Sequence, residues 1–300
     1  MKTLRISATA NGINYLPEYY ARENGLFAQQ DLDVTAEARN PWDGVMHDLA
    51  DGSADVALGG LWVPAMYSGR GREFVAFAQL NNRFPMAVVT REPVTDFDWS
   101  WLAGRTVLVP GQGGTAPYEL TAGLMRKAGV DPSRTRFGRD LSTAMLKELY
   151  LNGLGDAIVA DPGTAAELVL GGHGHATVDL AAEGGVMPNS VYYVLRERLD
   201  ELVPRLVPFA RAIEAATVAV AGSTASAHAE LIEKQWPGAD LAVQERATEY
   251  LIASGTWTGV AIDPAGVENW TGILHDAGLT VDRVGYSDIV TDAVFTQLSP

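Results

Sequence analysis

The 300-residue chain contains no cysteine. Disulfides, thiolate nucleophiles and cysteine-based zinc or iron–sulfur centres are therefore excluded. Basic residues are scarce: 22 Lys and Arg stand against 37 Asp and Glu, a net charge of −15. Nucleic acids and anionic membranes need a basic face, so neither is expected as the main partner. A small anionic ligand stays open, because the field inside a cleft can oppose the net charge. No apolar run approaches the ~18 residues that would suggest a membrane span, and no direct membrane insertion is expected. Met1–Thr3 leads straight into a strand pattern. We expect either a cytoplasmic chain or one from which an export signal has been removed.

What remains is an ordinary globular composition, 47% hydrophobic and 20% charged, in a length that suits one large domain or two medium ones. The most informative stretch is Gly104–Gly129, GRTVLVPGQGGTAPYELTAGLMRKAG. Thr106–Val109 is a short apolar run ended by Pro110, which suits a buried strand. Gly111–Gly114 is a bare turn. Thr115 stands where a helix cap belongs, Pro117 is tolerated in the first turn, and Gly129 closes the helix. The start of the chain repeats the plan: strand Leu4–Ala8, polar loop Thr9–Tyr15, and a helix from Pro17 closed by Gly25. Two strand–loop–helix units of this kind predict an α/β fold of two lobes, with the ligand cleft between strand carboxyl ends.

Along the chain the spacing predicts strands at Leu32–Ala36, Asp55–Leu58, Glu73–Leu80 and Pro85–Thr90, with helices at Asp43–Asp51 and Trp62–Ser68. This alternation argues for a mostly parallel, doubly wound sheet. The composition changes at Arg91–Trp101, read as a lobe boundary. Beyond it come strands near Arg134–Gly138, Asp156–Ala160 and Ala176–Leu180, and helices at Ser142–Leu151 and Thr164–Leu170. Ser190–Leu195 is β-rich and suits a strand that carries the chain back. Helices are expected at Pro204–Ala221, Ala225–Gln235, Ala242–Ser254, Pro264–Ala277 and Ile289–Leu298. Lobe one is thus 1–90 plus 196–300, and lobe two 91–195.

Several residues fall on the loops that would face the cleft. Asn11, Asn14 and Tyr15 offer amide groups and an aromatic face to a small polar ligand, or ordinary turn chemistry. Trp42 and Trp62 follow strands two and three, where they suit a planar ligand stacked between aromatic faces, or core filling. Gly113, Gly114 and Thr115 at a helix start suit an anion or carbonyl group, although the lysine of a phosphate-binding P-loop is missing. Asp161 can accept from an amine or cap the following helix. Arg83 can pair with a carboxylate or sulfonate. His173 and His175 are the one metal-like spacing, without an evident third ligand. Asp43 and His47 share a helix face at i, i+4. No cofactor is expected.

Leu16–Val34 (LPEYYARENGLFAQQDLDV), Gly52–Gly59 (GSADVALG), Trp101–Pro110 (WLAGRTVLVP) and Gly153–Ala160 (GLGDAIVA) resemble the solute-binding proteins of ABC importers in the sulfonate, taurine, nitrate and thiamine-pyrimidine group. The resemblance covers roughly residues 4 to 195, with arginine at 105 where that group usually has lysine. It implies a two-lobed, type II periplasmic-binding-protein fold that closes on a small ligand, with an ABC permease as partner. The same fold hosts enzymes of thiamine, menaquinone and aromatic-acid metabolism. Without cysteine this chain cannot carry a desulfinase nucleophile or the cysteine-rich iron motif of the thiamine-pyrimidine synthase. Its lysines, Lys2, Lys127, Lys147 and Lys234, give no pyridoxal site near the cleft loops. The expected function is solute binding, with a small polar, planar or heterocyclic ligand. The alternative is a cytoplasmic enzyme acting on an aromatic or heterocyclic acid.

Overall fold

The computed structural model describes residues 1–111 and 114–298. The first strands and helices alternate: β1 (Lys2–Ala8), α1 (Leu16–Glu23), α2 (Leu26–Gln29), β2 (Leu32–Ala38), α3 (Gly44–Asp51), β3 (Val56–Gly60), α4 (Trp62–Tyr67) and β4 (Phe74–Asn81). The middle of the chain follows as β5 (Ala87–Thr90), β6 (Thr106–Leu108), α5 (Ala116–Lys127), β7 (Arg136–Gly138), α6 (Thr143–Leu151), β8 (Ala157–Ala160), α7 (Pro162–Leu170), β9 (His175–Asp179) and α8 (Leu180–Gly184). Then come β10 (Ser190–Leu195), α9 (Leu199–Ala221), α10 (Ala229–Gln235), α11 (Leu241–Ala253), α12 (Pro264–Asp276) and α13 (Tyr286–Ile289).

These strands form two five-stranded sheets, in the orders β2-β1-β3-β10-β4 and β7-β6-β8-β5-β9. Each is a mixed sheet flanked by helices. In the first, β10 runs antiparallel to both neighbours; in the second, β5 does. Each reversed strand is the first one laid down after the chain crosses between sheets. Thr90 therefore lies in the second sheet and Ser190–Leu195 in the first, so the β-rich run at Ser190–Leu195 does carry the chain back, whereas the change in composition at Arg91–Trp101 falls after β5. The short links 82–86 and 180–189, not the Trp-rich stretch after Arg91, carry the chain across.

Burial explains the strand patterns. Edge strand β2 alternates buried and exposed residues, while β4 and β10 are buried throughout, as expected for strands covered on both faces. One face of the first sheet packs on α1, α2 and α9, where Phe27 stacks on Phe209 with ring centroids 5.3 Å apart. The other face shares a continuous core with the second lobe, from Val45 and Trp62 through Phe84 and Val107 to Leu120 and Trp270. The C-terminal helices brace this arrangement: α12 packs on α4 and α5, and α11 packs on α7.

Two expectations for the last third are corrected. Helix α9 begins at Leu199, not Pro204, and contains Pro204 and Pro208. Proline normally breaks a helix interior, but burial of Leu202, Leu206, Phe209 and Ile213 against α1, α2 and the sheet outweighs the missing donors. The continuous helix expected over Ile289–Leu298 does not form, and only a 3-10 turn at Phe295–Gln297 remains: Val290 makes a parallel bridge with Ala76, and the Thr291 amide donates to the Ala76 carbonyl. That sheet contact ends α13 at Ile289.

Two buried carboxylates anchor the first lobe. Asp55 accepts from the Arg5 guanidinium at 3.1 Å and from Arg198 at 3.1 Å. Burial pushes its pKa up, but the hydrogen bonds from Arg5 and Arg198 prevail and hold it below the usual value. Glu18 accepts from the Tyr192 hydroxyl at 2.9 Å and from Arg22 at 3.1 Å. There burial prevails, and its pKa is raised.

Candidate functional site

The loops after β1, β2 and β3 leave the carboxyl ends of the first sheet, and those after β6 and β8 leave the second. Ligands of open α/β sheets gather at such edges. The structure brings three of the expected residues together there. The Trp42 and Trp62 rings meet edge to face, centroids 5.1 Å apart at 62°. Trp62 opens α4 and is buried. Its six-membered ring lies against Gly114 of the other lobe, where a β-carbon would fall 2.5 Å from Cζ2. The five-membered ring covers Gly60 just as closely. Both glycines are thus needed to admit the indole between the lobes. At φ +103°, Gly114 also holds a backbone conformation that L-residues seldom adopt.

The first cleft loop is pinned from the far end of the sequence. Trp257 Nε1 donates to the Asn14 carbonyl and to Asn81 Oδ1, both at 3.1 Å. Trp236 Nε1 donates to the Asn11 carbonyl at 3.2 Å. The Asn11 side chain accepts from the Tyr19 hydroxyl at 2.6 Å, so it is engaged within the lobe. Asn14 is half-buried, and its side-chain oxygen lies over Gly12. Tyr15 is buried, with its hydroxyl 3.4 Å from Thr9 Oγ1. Burial raises the Tyr15 pKa, partly opposed by hydrogen bonding with Thr9 and Ser190. Asn81 Nδ2 donates to Ser190 Oγ at 3.2 Å. This network joins the loop after β1 to the two points where the chain crosses between lobes.

Other expected residues are engaged elsewhere. Asp161 caps α7: it accepts from the Thr164 amide at 3.0 Å and from the Thr164 hydroxyl at 2.7 Å, the capping reading of that residue. Thr115 occupies the cap position of α5 but makes no cap bond; its hydroxyl donates to Glu119 Oε1 at 2.9 Å. Arg83 is half-buried, with Nη1 donating to the Ala181 carbonyl at 3.0 Å and Nε buried without a partner among the described residues. It faces α8 and Gly255 rather than the two tryptophans. Gly113 lies outside the described residues. His47 stands 3.3 Å from Asp51, not beside Asp43. Thr9, Asn81, Ser190, Tyr193 and Trp257 escaped sequence reasoning, because strand and loop patterns do not report which distant residues meet.

Two surface cavities lie apart from this junction. One, of about 410 Å³, lies beside the packed pair α7 and α11 and is lined by Ala165, Val169, Val178 and Tyr250. The other, of about 610 Å³, lies beside Glu73 and Arg196 near the start of β4. The second is at the opposite end of the first sheet from Trp42 and Trp62. Among the described residues no helix is long and apolar enough to cross a membrane.

Known proteins agree with this architecture. YtlA of Bacillus subtilis (strain 168), named as a candidate binding protein, is 25% identical over 249 residues, 82% of this chain and 74% of its own length. The ligand-binding component of an ABC-type import system from Staphylococcus aureus, solved with zinc bound, superposes with a TM-score of 0.78 at 14% identity, covering 100% of this chain and 99% of that one. The alkanesulfonate-binding protein SsuA of Xanthomonas axonopodis pv. citri, bound to MOPS, gives 0.76 at 15% identity, covering 97% and 98%. At these identities the structural likeness establishes the two-lobed periplasmic-binding-protein fold. Residues 12–223 match the profile of the family described as NMT1/THI5 like, and the chain belongs to that family.

Proposed function

We propose that this protein is a solute-binding protein that closes its two lobes around a small polar, planar ligand and delivers it to an ABC-type permease. The observation that carries the reading is the junction of Trp42 and Trp62 with Gly114, at the strand ends where the two lobes face each other. Trp62 is covered by Gly60, Gly114 and Trp42, so the half-buried Trp42 offers the face on which a flat ligand stacks, and nearby polar groups fix its orientation. Asn14 and Tyr15 border the same edge, on a loop held by Trp257. The family membership and the import-system component among similar structures support the reading. Closure by relative movement of the lobes across the links 82–86 and 180–189 follows the hinge behaviour of two-lobed binding proteins.

The test is thermal unfolding against aminopyrimidines, purines, flavins, alkyl sulfonates and aromatic carboxylates, with mass spectrometry of each hit. A ligand at ~100 times its dissociation constant adds about 2.7 kcal/mol. Recovery of the ligand intact supports solute binding; its consumption makes the protein an enzyme and sinks the proposal. Trp42→Ala is expected to weaken the hit by about 2 kcal/mol or more, roughly thirtyfold. Unchanged affinity would place the ligand elsewhere.

A further inference from the structure

The cavity of about 410 Å³ beside α7 and α11 takes no part in the cleft described above. Its volume falls within the ~300–1,000 Å³ of small-molecule sites. Its walls pack on different sheets. From the second sheet come Ala165 and Ala166 of α7, Ala87 of β5 and Val178 of β9, all buried. From the other side comes α11, whose Ala247 and Leu251 are buried with Ile13 and Leu16 at the end of the loop after β1. The floor is apolar, so it suits a hydrocarbon body better than ordered water, which needs several polar partners.

The polar groups around that floor are mostly acceptors. The Tyr250 hydroxyl donates to Asp179 Oδ1 at 2.5 Å. Burial raises the Tyr250 pKa, and the Asp179 carboxylate adds to the rise. The phenol therefore keeps its proton, spends it on Asp179, and offers a ligand only its lone pairs. The Ala181 and Ala182 amides also donate to Asp179 Oδ1, at 2.9 and 3.3 Å. Asp179 Oδ2 stays open among the described residues. At the mouth, Glu249 stands 3.4 Å from Arg246, and both are exposed. Arg83 also acts on Tyr250, but it lies outside the lining and its Nη1 donates to the Ala181 carbonyl. Two carboxylates thus line the cavity against one arginine, in a chain of net charge −15. That field favours a cation. An ammonium carries donors and no acceptor, which complements Asp179 Oδ2 and the Tyr250 oxygen.

We propose that this cavity is a second ligand site, separate from the Trp42–Trp62 junction, that takes a small apolar ammonium. The hydrocarbon body lies on the alanine and valine floor, and the ammonium meets Asp179 Oδ2 and the Tyr250 oxygen. The site stands independently of the solute-binding reading.

The experiment is calorimetric titration of the full chain with three probes that share a phenyl tail: 2-phenylethylamine, 2-phenylethanol and 3-phenylpropionate. The amine is expected to bind roughly tenfold more tightly than the alcohol, the effect of one hydrogen bond to a charged group, and the carboxylate more weakly than either. Asp179→Asn should bring the amine down to the level of the alcohol. Asparagine can still cap α8, and a ratio of two affinities is not moved by a general loss of stability. Val169→Trp should block the cavity and abolish binding of the amine, because Val169 lines it from an exposed position on α7 that tolerates a larger side chain. The proposal is overturned by any of four results: no saturable binding of the amine, an alcohol or carboxylate that binds as tightly, an amine preference that survives Asp179→Asn, or amine binding that survives Val169→Trp.

Discussion

Gly114→Ala tests the contact on which the cleft assignment depends. Two separate penalties are expected. The backbone at φ +103° strains any L-residue by about 1–3 kcal/mol. The added β-carbon would stand 2.5 Å from Trp62 Cζ2, 3.0 Å from Cη2 and 3.3 Å from Cε2, inside the ~3.5–4.0 Å of a relaxed carbon contact. The indole cannot retreat, because Gly60 and Trp42 hold its other side. Overpacking of this kind costs about 1–3 kcal/mol. Only the second penalty depends on Trp62, so a double-mutant cycle separates them. Trp62→Ala alone should cost about 3–5 kcal/mol through lost packing. The double variant should then be more stable than the sum of the single effects by about 1–3 kcal/mol, since the clash disappears and the backbone strain remains. Urea denaturation of the four proteins measures this. Additivity within ~0.5 kcal/mol would show that Trp62 does not lie on Gly114 and would remove the basis for placing the cleft there.

Two further predictions concern the frame around the site. The Asp55 carboxylate has a folded-state pKa below its unfolded value, so its stabilisation is present above the ordinary aspartate pKa of ~3.9 and is lost as pH falls through the depressed folded value. Asp55→Asn should flatten that acid arm of a stability–pH curve. At neutral pH it should cost less than the ~3–5 kcal/mol of a fully buried pair, because Arg5 and Arg198 reach solvent; an unchanged acid arm would refute the assignment. Trp257→Phe removes the donor shared by Asn14 and Asn81 and should cost about 1–3 kcal/mol. It should also speed amide exchange at Asn14 and Tyr15, and unaltered exchange there would show that the loop is held by other contacts.

Local chemistry made much of the fold legible. The strands near 4–8, 32–38, 56–60, 106–108 and 157–160 are short apolar or alternating runs punctuated by Gly and Pro, and their helices start and stop at capping and glycine signals. The return of the chain through Ser190–Leu195 was readable as a β-rich run, but its reversed direction between β3 and β4 was not. Val290 shows the limit most plainly. Its neighbours suit a helix, yet its bridge to Ala76, more than two hundred residues earlier, decides its conformation.

At the site the same division holds. Residue order alone shows that polar and glycine-rich loops follow the strands, that tryptophans stand at two of those ends, and that no thiolate chemistry is possible. Those are consequences of residue identity and of spacing over a few turns of chain. Long-range packing settles that Trp62 closes on Gly114, that Asp161 caps its own helix, and that Arg83 turns toward Ala181. These outcomes depend on which distant groups compete for each hydrogen bond and each volume, and that competition arises only once the two sheets are assembled.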